Sequence, residues 1–423
     1  MVLELMTLGS IAAASGQWAR KRALKERAVR REPSVPDAVG SPELRRNGQR
    51  LAAASAALGL SAASVLLRTP VLGYVSVPVS LFAFLPVLAN AGRSLGKERA
   101  INDQVLAATR AAICVAMGYY CILALDATLQ SAGQRLFLRQ EDGFRKNLKQ
   151  AAQQHGLVLP VDMPLQPDRR QIHAEQTAER AAPWMLGFFV LTIPMMGVNR
   201  AAAFLTTTFG GHLRNLGPYT SRRVIHAAMQ EGIVLMQPDA LESAAQVDTL
   251  VIDSRLLEGL PQEEVHGLID GLQRQYRVQV LDAAAQHISF GELQASGNKV
   301  AYLHGPEDEL GRQAAFLCIA CGNRAAQVTS APILLLGDGI RQLPVLLALA
   351  NTFTQRQRFN FIAPIGVDLM DIATTVFLDF GLIYSVLFTY TGLGLGVVNN
   401  HLEKCKGNPI SEQELLPVPA PIR

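Results

Sequence analysis

At 423 residues the chain is too long for one ordinary domain and long enough for a membrane bundle with a soluble domain attached. Only 17% of residues are charged and 49% are apolar, which excludes a soluble protein of ordinary composition, where about a quarter are charged. The formal net charge of +4 is small, so the placement of the charges carries more information than their sum.

Residues 1–50 form an apolar and then basic N-terminal segment. The opening MVLELMTLGSIAAASGQ carries Glu4 and lacks the basic start of a signal peptide. A short amphipathic helix and a marginal spanning helix both remain open for it. RKRALKERAVRR at 20–31, with Arg45, Arg46 and Arg50, crowds the entrance to the first long apolar stretch. The positive-inside rule places this run on the cytoplasmic side. A topology signal that also attracts anionic lipid is favoured over a nucleic-acid arm, so no nucleic-acid partner is expected.

Long apolar stretches then recur, several of them reaching the ~20 residues that a spanning helix needs. Residues 51–68 and 71–92 read as a helical hairpin turning at Thr69 and Pro70, and 104–117 and 118–137 as a second, broken near Gly118. A short polar loop, 138–182, follows. A third hairpin covers 183–218 with its turn at Gly197 to Arg200, and a fourth covers 359–398. The polar tail is 399–423. The predicted fold class is an α-helical polytopic bundle of about eight helices carrying a small cytosolic α/β domain at 219–358, with both bundle ends cytoplasmic. Within that domain, β-rich runs at Asp248–Asp253, Arg277–Leu281, Lys299–His304, Ala315–Ala320 and Pro332–Leu336 alternate with helical patterns at 261–275, 306–313 and 339–354. Such alternation predicts a parallel sheet.

The five cysteines are scattered, which argues against a disulfide framework and for reduced thiols. Cys318 and Cys321 form a CxxC without a second pair, short of a zinc site and best read as core thiols. Cys114 and Cys121 lie in adjacent membrane segments and could approach across the turn, with packing again favoured. Arg110, Asp126, Asp368, Asp371 and Asp379 fall in apolar stretches, where charge is expensive and by default marks a functional site. Asp126 and Asp379 are expected to face inward and be polar-paired, with Arg110 a candidate partner. Asp126, Asp379, Cys114 and Cys121 are the weak metal candidates.

Order and spacing add a resemblance. Residues 247–259 read VDTLVIDSRLLEG, and GIVLMQPDALESAAQVDTLVID resembles the GILIKGGEALERLxxVDTVVFD pattern of heavy-metal P-type ATPases, in which the aspartate opens DKTGT. Pro218 falls where that family has the proline of ALGLATP, LLLGDGIRQLPVLLALA resembles the segment after its hinge motif, and VVNNHLEK resembles its closing helix. The chain is similar, over about 45–405, to a degenerate, catalytically incomplete relative of the heavy-metal-translocating (type IB) P-type ATPases. The soluble region would then be a trimmed, Rossmann-like (HAD-like) phosphorylation domain.

The departures from the pattern shape the expected function. Asp253 stands at the phosphorylation position, but Ser254 replaces the lysine and Leu256 the glycine of DKTGT, and losing a positioned cation at developing charge is severe. Asp253 is therefore read as a vestigial strand-end acid facing solvent. The literal GDGI at 337–340 is read as a decoy, and the vestigial hinge is placed at His304–Glu309, with Glu307, Asp308 and Glu309 its acids. Phe209, Gly210 and Gly211 occupy the position of the metal-binding CPC, and the YN and MxxSS ligands of the last two helices are missing. The nucleotide-binding domain, the actuator and its TGE are absent.

Together these imply a pseudo-ATPase with no ATP or magnesium cofactor, a transition metal being the one cofactor left open. The expected location is an integral membrane position, the bacterial inner membrane, in contact with the lipid bilayer. The expected role is a scaffold, assembly factor or regulator that binds a protein partner. The alternative is a passive metal or ion conduit or a metal-handling protein, and the third reading is a transporting ATPase of residual activity.

Overall fold

The computed structural model describes residues 42–155, 169–237, 239–258, 260–281, 294–305, 315–322, 331–337 and 339–401. The N-terminal segment through residue 41, the predicted helix 306–313, Glu307, Asp308, Glu309 and the tail from 402 lie outside them.

Turn chemistry sets the first helices. Helix α1 (Pro42–Leu66) is followed by α2 (Pro70–Arg93), whose entry is fixed by an extended Thr69 and by Pro70 at the first helical position, where its missing N–H costs nothing. A π-helical turn, Ser94–Glu98, closes α2. Helix α3 (Asp103–Ala116) starts on Asn102, whose side chain accepts the Val105 N–H at 3.1 Å. Gly118, at φ 75°, makes the turn into α4 (Tyr120–His155).

The polar stretch read as a loop is helical on both described sides. Helix α4 continues to His155 and α5 (Arg169–Ala201) begins at Arg169. The sequence hides this because the extension has no apolar stripe of its own. It is held by an i,i+4 ion pair, Arg145 to Glu141 at 3.0 Å, and by Phe144 and Leu148, which pack on the soluble domain.

Gly197 (φ 77°, ψ 162°) interrupts α5, and a 3₁₀ turn at Ala202–Leu205 leads into a non-helical segment, 206–212. Helix α6 (Leu213–Gln230) then rises into the soluble domain. The chain returns through α9 (Leu343–Phe377) and α10 (Leu382–Asn399). The predicted soluble helix 339–354 and the span from 359 are thus mostly one continuous helix, so α9 runs from the domain into the bundle.

Among the described residues, four stretches are long and apolar enough to cross a membrane: Pro70–Glu98, Arg170–Leu205, Gly339–Phe377 and Leu382–Asn399. Their outward faces expose large apolar side chains, Trp184 at 71% and Met195 at 83% among them, while Ala54, Ala57, Ser76 and Ser80 fill the interior. Small residues inside and large apolar residues outside are what helix packing in lipid requires. The protein is an integral membrane protein in contact with the bilayer.

The soluble domain carries β1 (Ile233–Leu235), α7 (Ala240–Ala244), β2 (Thr249–Asp253), α8 (Gln262–Gln273), β3 (Arg277–Leu281), β4 (Val300–His304), β5 (Leu317–Cys321) and β6 (Ile333–Leu335). The sheet order is β1-β6-β5-β4-β2-β3, parallel throughout except for the β1–β6 pair. Strands β2, β4, β5 and β6 are buried along their whole length, hence their unbroken apolar runs.

Candidate functional site

Asp253 ends β2, which lies one strand in from the edge of the sheet, between β3 and β4. In open α/β sheets, ligands bind at this carboxyl edge, where neighbouring connections diverge. The register Ile252↔Leu303 places the end of β4, His304, beside it. Strand β6, which leads into the GDGI stretch, lies beyond both β4 and β5. His304 is fully buried, stacks on Tyr302 at 5.5 Å and lies with Nδ1 2.7 Å from the Gly305 carbonyl. A carbonyl only accepts, so Nδ1 carries the proton.

Asp253 does not face solvent, contrary to the sequence expectation. It is 2% exposed, and Arg255 folds back over it. Oδ1 accepts from the Arg255 backbone N–H at 3.0 Å and from its Nε at 3.1 Å, and Oδ2 accepts from Nε at 3.0 Å and Nη2 at 2.6 Å. The 3₁₀ turn Ser254–Leu256 brings the guanidinium round, and a carboxylate at the end of a buried strand needs such a charged partner. A magnesium ion takes carboxylate oxygens directly, and both oxygens here are filled. The arrangement does not fit that ion.

The second site lies in the bundle. Phe209, Gly210 and Gly211 sit in the non-helical segment 206–212, with Phe209 at φ 39° and Gly210 at φ 97°. A Cβ on Gly210 would also stand 3.0 Å from the Phe361 ring, so glycine is needed there for two reasons. Unwound backbone at membrane depth must find partners within the protein. Asp368 of α9 supplies them: its Oδ2 accepts from the N–H of Thr208 at 3.1 Å and of Phe209 at 2.8 Å. One turn on, Asp371 Oδ2 lies 3.1 Å from the Thr206 hydroxyl. Thr389 of α10 donates to the Thr206 carbonyl at 3.3 Å, and Arg110 Nη1 donates to the Leu205 carbonyl at 3.1 Å. Asp371 is also buried against the Ser385 hydroxyl of α10.

No family model and no curated protein matches the chain. Among solved structures it is similar to a zinc-transporting PIB-type ATPase in the E2·Pi state, at TM-score 0.53 and 12% identity, covering 84% of this chain and 99% of that one. A second structure of a zinc-transporting PIB-type ATPase, in a different state, matches at TM-score 0.48 and 12% identity, over 83% and 98% of the two chains. The fold is that of a zinc-transporting P-type ATPase. At this identity the relationship is distant.

Within this P-type ATPase fold the other predicted residues fall apart from one another. Asp126 is buried and paired: Arg110 Nε and Nη2 donate to its Oδ2 at 2.9 and 2.7 Å, and the Tyr390 hydroxyl donates to Oδ1 at 2.8 Å. Asp379 is not inward-facing. It sits in the α9–α10 turn at φ 59°, its side chain 77% exposed and 2.6 Å from Arg200. LDFGL reads as apolar, but Leu378 and Phe380 flank a turn. Cys114 packs in the bundle core, Cys121 is half-buried, and both are free thiols. Cys318 and Cys321 lie three apart on β5, which directs them to opposite faces. Burial pushes the Cys321 thiol up to about 12. Among the described residues no group of three or more His, Cys, Asp or Glu is placed to hold a metal.

Sequence reasoning ranked Asp368 and Asp371 below Asp126 and Asp379 and passed over the threonines. The signal was present as Thr206-Thr207-Thr208 immediately before Phe209-Gly210-Gly211.

Proposed function

We propose that the chain is a non-pumping relative of the heavy-metal P-type ATPases that serves as a membrane-embedded scaffold, assembly factor or regulator for another protein. The observation that carries this reading is the commitment of both Asp253 oxygens to Arg255. A carboxylate so held has no oxygen ready for in-line attack on a phosphoryl group, and it already has its counter-ion.

The connections support the reading. Only residues 282–299 separate β3 from β4, and only 156–168 separate α4 from α5. Each is far below the roughly 40 residues under which a chain seldom folds as a domain without staples. In this reading neither ATP nor magnesium serves as a cofactor. On the same reading, α1–α2, α3–α4, α5–α6 and α9–α10 serve as four hairpins, eight helices, with the Rossmann-like body and both bundle ends on the cytoplasmic side of a bacterial inner membrane. A body with no nucleotide domain or actuator to close upon keeps surface for a partner, such as the groove of about 970 Å³ between α8 and α9.

The test is native mass spectrometry of protein extracted gently from its host membranes, with metal quantified on the same sample. A stoichiometric protein partner without metal supports the scaffold. A lone chain with about one equivalent of transition metal overturns it in favour of a metal-handling protein. That second reading draws on the buried carboxylates of Asp368 and Asp371 beside the unwound segment. Vanadate-sensitive ATP hydrolysis would instead revive a residual exporter.

A further inference from the structure

Outside these sites, a cavity of about 520 Å³ opens between α1, α4 and α6. Its depth follows from the sequence and from one contact. The apolar run of α1 begins at Leu51 and that of α4 ends at Leu138, so the residues lining the cavity straddle the polar boundary of the bundle. His401, just past the last turn of α10, meets Tyr219 at 2.6 Å and Arg223 at 3.1 Å, which sets α6 at the same level.

The cavity is basic. Arg46, Arg50, Arg214 and Arg222 line it, against Glu43 and Glu141. Arg222 pairs with Glu141 at 3.1 Å and Arg214 with Asp103 at 2.7 Å. Arg46 and Arg50 make no hydrogen bond or ion pair among the described residues. They are one turn apart on α1, so they share a face. Asn47, between them, is buried and donates to Gln134 Oε1 at 3.1 Å, which turns that face towards α4. On the bilayer side the wall is apolar, formed by Pro86, Phe137 and Leu138.

We propose that this cavity binds the phosphate of an anionic phosphate ester, with Arg46 and Arg50 as its principal ligands and Arg214 and Arg222 completing the positive field. Guanidinium groups suit phosphate because their donors match its oxygens in pairs. Four arginines against Glu43, Glu141 and the Asp103 that holds Arg214 still leave an excess positive charge for the phosphate to neutralise. The apolar wall suits a lipid, whose chains would lie along it. A soluble phosphate ester shares the headgroup chemistry.

The test uses the full chain in detergent, titrated with phosphatidylglycerol, phosphatidylcholine and inorganic phosphate and read by native mass spectrometry. Phosphatidylglycerol is expected to bind in preference to phosphatidylcholine, and R46Q/R50Q to weaken it roughly ten- to thirtyfold. R46K/R50K keeps the charge but not the paired donors and is expected to bind more weakly than wild type and more tightly than R46Q/R50Q, which separates loss of the site from loss of the fold. R93Q, outside the cavity, is expected to change nothing. Displacement of the lipid by millimolar inorganic phosphate would assign the site to a soluble phosphate ester, and resistance to it would assign the lipid. Equal binding of the two lipids, or undiminished binding in R46Q/R50Q, would overturn the proposal.

Discussion

Arg255 Nη2 lies 2.6 Å from Asp253 Oδ2, closing an ion pair between residues two apart at the carboxyl end of the buried strand β2. The acid is buried while its partner is half-exposed, so the arginine acts as a lid on the carboxylate.

Arg255→Ala removes that lid and leaves a buried carboxylate with unmet acceptors. The expected cost is about 1–3 kcal/mol, read as a lowered unfolding midpoint in detergent. Asp253→Asn keeps an oxygen for the Arg255 N–H and should cost less. Incubation with ATP and magnesium should give no hydroxylamine-sensitive phosphoprotein in the wild type. Such an adduct, lost in Asp253→Asn, would end the non-catalytic reading.

The Arg110–Asp126 pair predicts a strongly non-additive cycle. Breaking it on one side strands a charge inside the bundle, and Arg110→Met or Asp126→Leu alone should cost about 3–5 kcal/mol. Replacing both, with Tyr390→Phe to remove the hydroxyl that Asp126 now accepts from, should recover most of that loss. Unfolding midpoints of the single and combined variants give the coupling directly. Additive losses would mean that the Leu205 carbonyl contact, not the ion pair, dominates Arg110.

How much was legible in the sequence differs by region for physical reasons. Strands β2, β4, β5 and β6 are parallel and buried on both faces, so each reads as an apolar run that no helix pattern explains. Strand β1 is missed because three residues, Ile233–Leu235, carry no period. The α4 extension is missed because Phe144 and Leu148 owe their burial to another domain. At the sites, the Asp253 position is legible from its strand, but the Arg255 lid depends on a turn geometry that residue identities do not fix. Asp368 reads only as a charge in an apolar stretch, since its partners are main-chain N–H groups about 160 positions earlier.

Those N–H groups make Asp368 a positioning residue for segment 206–212. Asp368→Asn retains a carbonyl oxygen that can accept from Thr208 and Phe209, and it should cost under about 1.5 kcal/mol. Asp368→Ala leaves two buried N–H groups unpaired at membrane depth, and the loss should be about 2–4 kcal/mol. Thermal unfolding monitored by intrinsic fluorescence compares the two. Equal effects would mean that the carboxylate charge, rather than its acceptor geometry, holds the segment.

The last prediction concerns pH and the soluble domain. Cys321 is buried in β5 and its thiol is pushed up to about 12, whereas an unfolded thiol titrates near about 8.5. The folded state therefore holds this proton more tightly, and between those values the unfolded state binds fewer protons. By linkage, stability is unaffected below about pH 8 and falls as pH rises from there towards 12. Tyr276 is raised by burial as well and adds a loss of the same sign above the ordinary tyrosine range. Unfolding midpoints across pH 7–11 should fall above pH 8–9, and Cys321→Val should flatten the part between 8.5 and 10, before tyrosine contributes. A wild-type midpoint constant through pH 10, or rapid maleimide labelling of Cys321 at pH 7.5 in the folded chain, would show that the thiol is reached by water.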